Sequence, residues 1–399
     1  MAEPLARRRR IAVVVPYCGP TAYGGAATLA LALARRLGAF FDVEVLTTCA
    51  TDYETWRNVE PEGHLRIDGV HVRRFPVDRE RDQSRFEALS RAILYAADAP
   101  LEDQERWMRA QGPMSDALLD YLETFGGRYA AVVFFSYLYA TTYFGLPIVE
   151  ERAVLAPLAH DEWPLTFSLW DRFFERPAAF VFVGEEERAL VQRRFPALGV
   201  GGPVAGIGIV PPADVSAERF RAATSIDEPF LLYLGRIDPA KGCDELLADY
   251  ARVRRGSAAV PRLVLAGELH MTIPPAPGVT VLGPIDELMK WDAIAACDVF
   301  VMPSPYESLS IAMLEAWTMG RPVLVNGRAE TLVGQSRRAG GGLWYVNADE
   351  FGVALEMLDE PTRALLGERG RAYVAERYTW QRVDAIYRGV VEQVAERVR

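Results

Sequence analysis

The sequence predicts a two-domain α/β protein, each domain a doubly wound parallel sheet covered by helices on both faces. Three observations carry that expectation. At 399 residues the chain exceeds the size at which one hydrophobic core keeps growing. Two series of short apolar runs alternate with amphipathic helical patterns. Between the series lies GGPVAGIGIVPPAD (201–214), rich in glycine and proline as a linker would be.

The first series reads IAVVV (11–15), VEVLTT (43–48), VVFFS (132–136), VLAPL (154–158) and FVFVG (180–184). The second reads FLLYLG (230–235), RLVLAG (262–267), VTVLG (279–283), VFVMPS (299–304) and PVLVN (322–326). Runs that are apolar throughout suit strands buried on both faces, so parallel sheets are expected. Helical patterns such as TLALALARRL (28–37) and DELLADYARVRR (244–255) lie between them. Residues 1–205 and 206–376 are the expected domains, each Rossmann-like, with 377–399 a terminal helix.

Half the residues are hydrophobic and a quarter charged, as in ordinary globular proteins. The formal net charge of −10 argues against a nucleic-acid binder, which needs a basic face. Cys18, Cys49, Cys243 and Cys297 form no C-x-x-C and read as reduced, buried thiols of a cytoplasmic protein. The basic run Arg7 to Arg10 precedes Ile11 to Val15, which is too short for a signal sequence and ends at Pro16. Ala130 to Val149 carries no charge over about the length of a spanning helix. Its Ser136, Gly145, Pro147, two threonines and three tyrosines favour a buried strand at Val132–Phe135 running into an internal segment.

In open α/β sheets ligands bind beyond the carboxyl ends of strands, where loops enter helices. Three such loops carry unusual chemistry. The first, residues 16–37, passes Gly24 and Gly25 into a helix. Glycines let backbone amides approach a ligand, and a helix start attracts anions, though the same pair also serves as a tight turn. The second, LGRIDPAKGCDELL (234–247), sets Arg236 and Lys241 on either side of an Asp238-Pro239 turn, two cations suited to a diphosphate.

The third is PYESLSIAMLEAW (305–317), where a strand, a loop and a helix follow in order. Ser308 or Ser310 is the expected N-cap, with the amides of Leu309, Ser310 and Ile311 turned toward a cleft between the domains. Glu307 and Glu315 stand eight residues apart, roughly 12 Å at helical rise, so they would bracket a bound anion. That distance matches the span from the sugar of a nucleotide sugar to its ribose.

GRIDPAKG together with E-x7-E at Glu307 and Glu315 resembles retaining glycosyltransferases of the GT-B fold, family 4 (glycosyltransferase group 1). The resemblance extends to the Gly24-Gly25 loop, the histidine of LAPLAHDEW and the terminal YTWQRVDAIYRGVVEQV, and so to nearly the whole chain. It implies that 377–399 returns to the N-terminal domain, which serves the acceptor, while 206–376 binds the nucleotide sugar. It implies that Arg236 and Lys241, aided by the Leu309 and Ser310 amides, hold the donor diphosphate and stabilise the leaving oxygen. Glu315 would bind the ribose hydroxyls and Glu307 the transferred sugar. His160 would lie against that sugar, and Gly24 or Gly25 would admit acceptor and phosphates.

The chain departs from the family in two places: Ser308-Leu309-Ser310 replaces a glycine-rich turn, and LAGELH (265–270) lacks a second glycine. The implied reaction is a hexosyl transfer with retention by a front-face route, needing neither metal nor cofactor and no close carboxylate pair. The acceptor would be a glycan, a lipid-linked or a small molecule, used in cell-surface glycan synthesis with at most peripheral membrane contact. A GT-B-fold sugar-nucleotide epimerase or hydrolase, and an inactive nucleotide-sugar-binding module, are the alternatives.

Overall fold

The computed structural model describes residues 8–19, 24–96, 99–257 and 259–398. Arg7 of the basic run and residues 20–23 of the glycine loop lie outside the described residues. The chain forms two compact units, Met1–Ala205 with Gln381–Arg399, and Gly206–Trp380.

The first unit is built on strands β1 (Arg10–Val14), β2 (Asp42–Thr48), β3 (Gly63–Ile67), β4 (Val70–Phe75), β5 (Ala131–Phe135), β6 (Ala153–Ala156) and β7 (Ala179–Phe180). They form one sheet in the order β3-β4-β2-β1-β5-β6-β7. Every residue of β5 is fully buried, as a strand covered on both faces requires. Ile11 pairs with Val43 on one side and Ala131 on the other, both in parallel register. The sheet therefore grows outward from β1 in one direction and then resumes at β5 in the other. At that reversal the loops after β1 and β5 diverge and leave room at the carboxyl ends of the strands.

Two features depart from the expectation. Strands β3 and β4 form an antiparallel hairpin, which the apolar-run pattern misses because HLRI and VHVRRF alternate exposed and buried residues. Asp68 (φ 49°) and Gly69 (φ 84°) make its turn, the left-handed pair that closes tight hairpins. FVFVG supplies strand only at its start, since Phe182 makes a single bridge to Val204 and Gly184 opens the Glu185–Arg194 helix. The uncharged 130–149 stretch divides into β5, a short helix (Ala140–Gly145) and a 3-10 segment. No helix among the described residues is long and apolar enough to cross a membrane. All four cysteines are buried and free.

The second unit carries β8 (Phe230–Leu234), β9 (Arg262–Ala266), β10 (Val279–Gly283), β11 (Val299–Met302), β12 (Val323–Asn326) and β13 (Gly342–Tyr345), the last not expected from the sequence. All pair in parallel, in the order β10-β9-β8-β11-β12-β13. Its reversal falls between β8 and β11, which are joined through Val299↔Leu231 and Phe300↔Leu232. The loops bearing Arg236, Lys241 and Glu307 follow those two strands.

The terminal helix is Trp380–Arg397, and from Gln381 onward it belongs to the first unit. Val383, Tyr387, Val391 and Val394 recur along one buried face. Arg36 pairs with Asp384, Nε to Oδ2 3.1 Å, and Arg397 donates to the Ala178 carbonyl at 3.0 Å.

Candidate functional site

In the second unit three loops brace one another through backbone contacts that exclude side chains. A Cβ on Gly267 would lie 1.8 Å from the Gly235 carbonyl oxygen, so the loop after β9 is pressed onto the loop after β8. Ile237 N–H donates to the Glu268 carbonyl (2.8 Å), and His270 N–H returns the bond to Ile237 (2.9 Å). The one glycine kept in LAGELH is thus the one this packing needs. Gly242 (φ 71°) abuts the Pro303 carbonyl, which also accepts Asn326 Nδ2 at 2.8 Å. That ties the loop after β8 to the loop after β11.

On this frame Tyr233 Oη donates to the Arg236 carbonyl (2.7 Å), fixing where the arginine leaves the strand. Asp238 accepts the Lys241 N–H (2.8 Å) through Oδ1 and pairs with the Arg236 guanidinium through Oδ2. It therefore orders both ends of the turn that carries the two cations. Lys241 Nζ reaches across to Glu307 Oε1 at 2.7 Å.

Ser310 caps the Ile311–Thr318 helix, its hydroxyl accepting from Met313 N–H at 3.3 Å. This settles the cap in favour of Ser310 over Ser308. The amides left open by the first turn are those of Ile311 and Ala312, while Leu309 and Ser310 precede the helix. Ser308-Leu309-Ser310 thus replaces a glycine turn with a capping one. The helical-rise distance does not apply between Glu307 and Glu315, because residues 307–310 are not helical.

Glu315 is buried at 7% exposure, and its Oε1 accepts Lys290 Nζ at 2.6 Å. Lys290 also reaches Glu287 at 2.8 Å. Burial raises the pKa of Glu315, with Lys290 working against the rise. For Lys290, burial opposes the charged form, but Glu315 and Glu287 outweigh it and the pKa is raised. Sequence reasoning missed Lys290, whose only local signal is a Glu287–Lys290 helical pair typical of any surface. Each carboxylate of the E-x7-E pair is therefore tethered by its own lysine.

The first unit holds the other expected residues. A Cβ on Gly24 would come within 2.6 Å of Tyr17 Oη, so any larger residue there would displace that ring. A Cβ on Gly25 would meet nothing within 4 Å, which leaves open space at the start of its helix. Tyr17 packs against Trp56, and Trp56 edge-on against Tyr139 (5.5 Å), beneath this loop.

His160 follows β6, two residues after the left-handed Leu158 (φ 53°). Its Nδ1 lies 3.6 Å from Glu162 Oε1, which also accepts Tyr137 Oη at 3.0 Å. Burial raises the Glu162 carboxyl, against the pull of His160 and Tyr137. Asp161 is exposed by contrast. The backbone here hangs from a second acid that sequence reasoning did not single out. Glu187, fully buried, accepts the amides of Ala159 (3.0 Å) and Val183 (2.7 Å). Burial pushes its pKa up to about 7, those amides opposing.

Two doubly wound sheets, parallel but for the β3–β4 hairpin, are those of the GT-B fold, and solved structures share it. Sucrose-phosphate synthase from Thermosynechococcus elongatus superposes with a TM-score of 0.73 at 18% identity, over 97% of this chain and 99% of that one. Anabaena HepE in complex with UDP and glucose gives 0.63 at 14% identity, over 97% and 100%. Residues 228–358, which contain Arg236, Lys241, Glu307 and Glu315, match the family model of glycosyl transferases group 1. That match lies wholly within the second unit. A D-inositol 3-phosphate glycosyltransferase of Segniliparus rotundus is 29% identical over 197 residues, 45% of this chain and 43% of that protein. The chain spans about half the length of the curated relatives it matches.

Proposed function

We propose that the protein is a retaining, metal-independent glycosyltransferase that moves a hexose from a nucleoside diphosphate sugar to an acceptor hydroxyl. One observation carries the reading. Arg236, Lys241 and the start of the Ile311–Thr318 helix follow two adjacent strands at the reversal of the second sheet, with Glu307 and Glu315 held by Lys241 and Lys290. Arginine offers a fork to one phosphate, lysine a point charge to another, and the helix start adds amides and a partial positive charge.

In the reaction, the bond between the anomeric carbon and the diphosphate oxygen breaks while the acceptor oxygen bonds on the same face. The acceptor proton passes to a phosphate oxygen. Arg236 and Lys241 stabilise the charge that grows on the leaving oxygen, the effect that commonly dominates such catalysis. Because Lys241 also holds Glu307, arrival of the diphosphate and placement of Glu307 at the sugar are coupled through one ammonium. Glu315 binds the ribose, and His160 is assigned by resemblance to the transferred sugar. The setting, cell-surface glycan synthesis in the cytoplasm or at its membrane face, rests on the family resemblance.

The test is donor turnover by the full chain, with and without a crude acceptor extract, and with and without EDTA. Transfer that requires acceptor, survives EDTA and keeps the anomeric configuration by NMR is the expected result. Equal donor consumption without acceptor would favour an epimerase or hydrolase instead. A thermal-shift screen selects the donor first, since a ligand at a hundred times its Kd adds about 2.7 kcal/mol.

A further inference from the structure

The first unit contains a pocket of about 370 Å³, within the range of small-ligand sites and large enough for one or two sugar rings. Its wall is aromatic: Trp107 stands between Trp163 (5.4 Å between ring centres, nearly perpendicular) and Phe86 (5.6 Å). Glu87 and Arg91 lie on its rim and pair with each other at 3.7 Å across one helical turn. The lining also includes Glu162, whose contacts with Tyr137 and His160 both use Oε1. Its Oε2 takes no hydrogen bond from the described residues.

These groups discriminate among ligands. An anion is disfavoured, because Arg91, the one cation among the described lining residues, lies at the rim beside Glu87, and Glu162 is a second acid in the lining. A hydrocarbon is disfavoured too, because it would cut this carboxyl oxygen off from water and offer no donor in its place. A ring with one apolar C–H face and several hydroxyls satisfies both the aromatic wall and the acid. We propose that this pocket binds a neutral pyranose, its C–H face on Trp163 and a hydroxyl donating to Glu162 Oε2. Only its role as the acceptor sugar rests on the glycosyltransferase reading above.

Saturation-transfer NMR on the full chain, without donor, tests the site with methyl α-D-glucopyranoside, methyl α-D-mannopyranoside and methyl β-D-galactopyranoside, and with octanol and inorganic phosphate as the competing chemistries. At least one glycoside should receive saturation. Trp163→Ala should weaken it about tenfold, the order of one aromatic stacking contact, and Trp163→Phe should retain most of it. Since Trp163 also packs on Phe167, Glu87→Trp at the exposed rim supplies a second variant, expected to block the pocket without unfolding it. UDP affinity should be the same in wild type and both variants. Failure of all three glycosides to bind, octanol or phosphate binding in their place, or glycoside binding unchanged in both variants would overturn the proposal. Glycoside binding without sugar transfer in the turnover assay would leave the pocket standing and count against the glycosyltransferase reading.

Discussion

The two units share a winding but not a chemistry. Each reverses its strand order beside a central buried strand, β1 in one and β8 in the other; the second unit gathers its notable residues on loops and helices beside that reversal, whereas the first spreads them over the loops after β1, β2 and β6. In the second unit the loops are held by ion pairs, Arg236 with Asp238 and Lys241 with Glu307, and the helices beside them by Lys290 with Glu315. In the first they are held by aromatic contacts around Trp56 and by acids, Glu162 and Glu187, that accept from hydroxyl and amide donors. Topology thus decides where a ligand can sit, while the residues on the loops decide which ligand. A diphosphate calls for cations fixed in place; a neutral hydroxyl-rich ring calls for flat apolar faces and a few acceptors.

The largest test of that contrast is Lys290→Met, which strands the buried Glu315 without its cation. Removing one partner of a buried pair costs about 3–5 kcal/mol, so the denaturant midpoint of the second unit should fall markedly. Lys290→Met with Glu315→Leu should recover most of the loss; a single variant as stable as wild type would mean the pair holds nothing. The first unit should answer to pH. Glu187 titrates near 7 folded against an ordinary 4.5, so the folded state keeps its proton more firmly. Its contribution is full below about 4.5 and is lost as pH rises through about 7, a change of about 3 kcal/mol relative to Glu187→Gln. Parallel stability curves for the two proteins across that window would sink the assignment.

Ligand binding separates the units next. Arg236→Ala or Lys241→Ala should each cost about 1.5–3 kcal/mol in nucleoside diphosphate affinity by calorimetry. His160→Ala should leave that affinity alone and lower transfer, whereas a fall in melting temperature without selective loss of transfer would make His160 structural. Within the second unit, Glu315→Gln should weaken nucleoside diphosphate and nucleotide sugar alike. Glu307→Gln should spare the diphosphate and depress transfer, and swapped behaviour would exchange the two roles. The smallest effect is expected at Asp384→Asn on the terminal helix. Its partner Arg36 is 43% exposed, so about 0.5–1 kcal/mol of stability and no nucleotide affinity should be lost.

What the sequence by itself determined is what neighbouring residues decide among themselves. Runs such as FLLYLG and VVFFS are apolar over every position, and only a strand covered on both faces buries them. Arg236, Lys241, Glu307 and Glu315 were legible because loop, strand and helix follow one another along the chain there. Tertiary structure decided the rest. The β3–β4 hairpin hides in an alternating pattern whose buried face exists only once the sheet forms. Lys290 reaches Glu315 across 25 residues, and Glu187 captures the Ala159 amide across 28. A lysine or glutamate on a helix looks solvated until the fold carries it to a partner and removes the water. Burial then makes the pairing strong, and no local spacing records it.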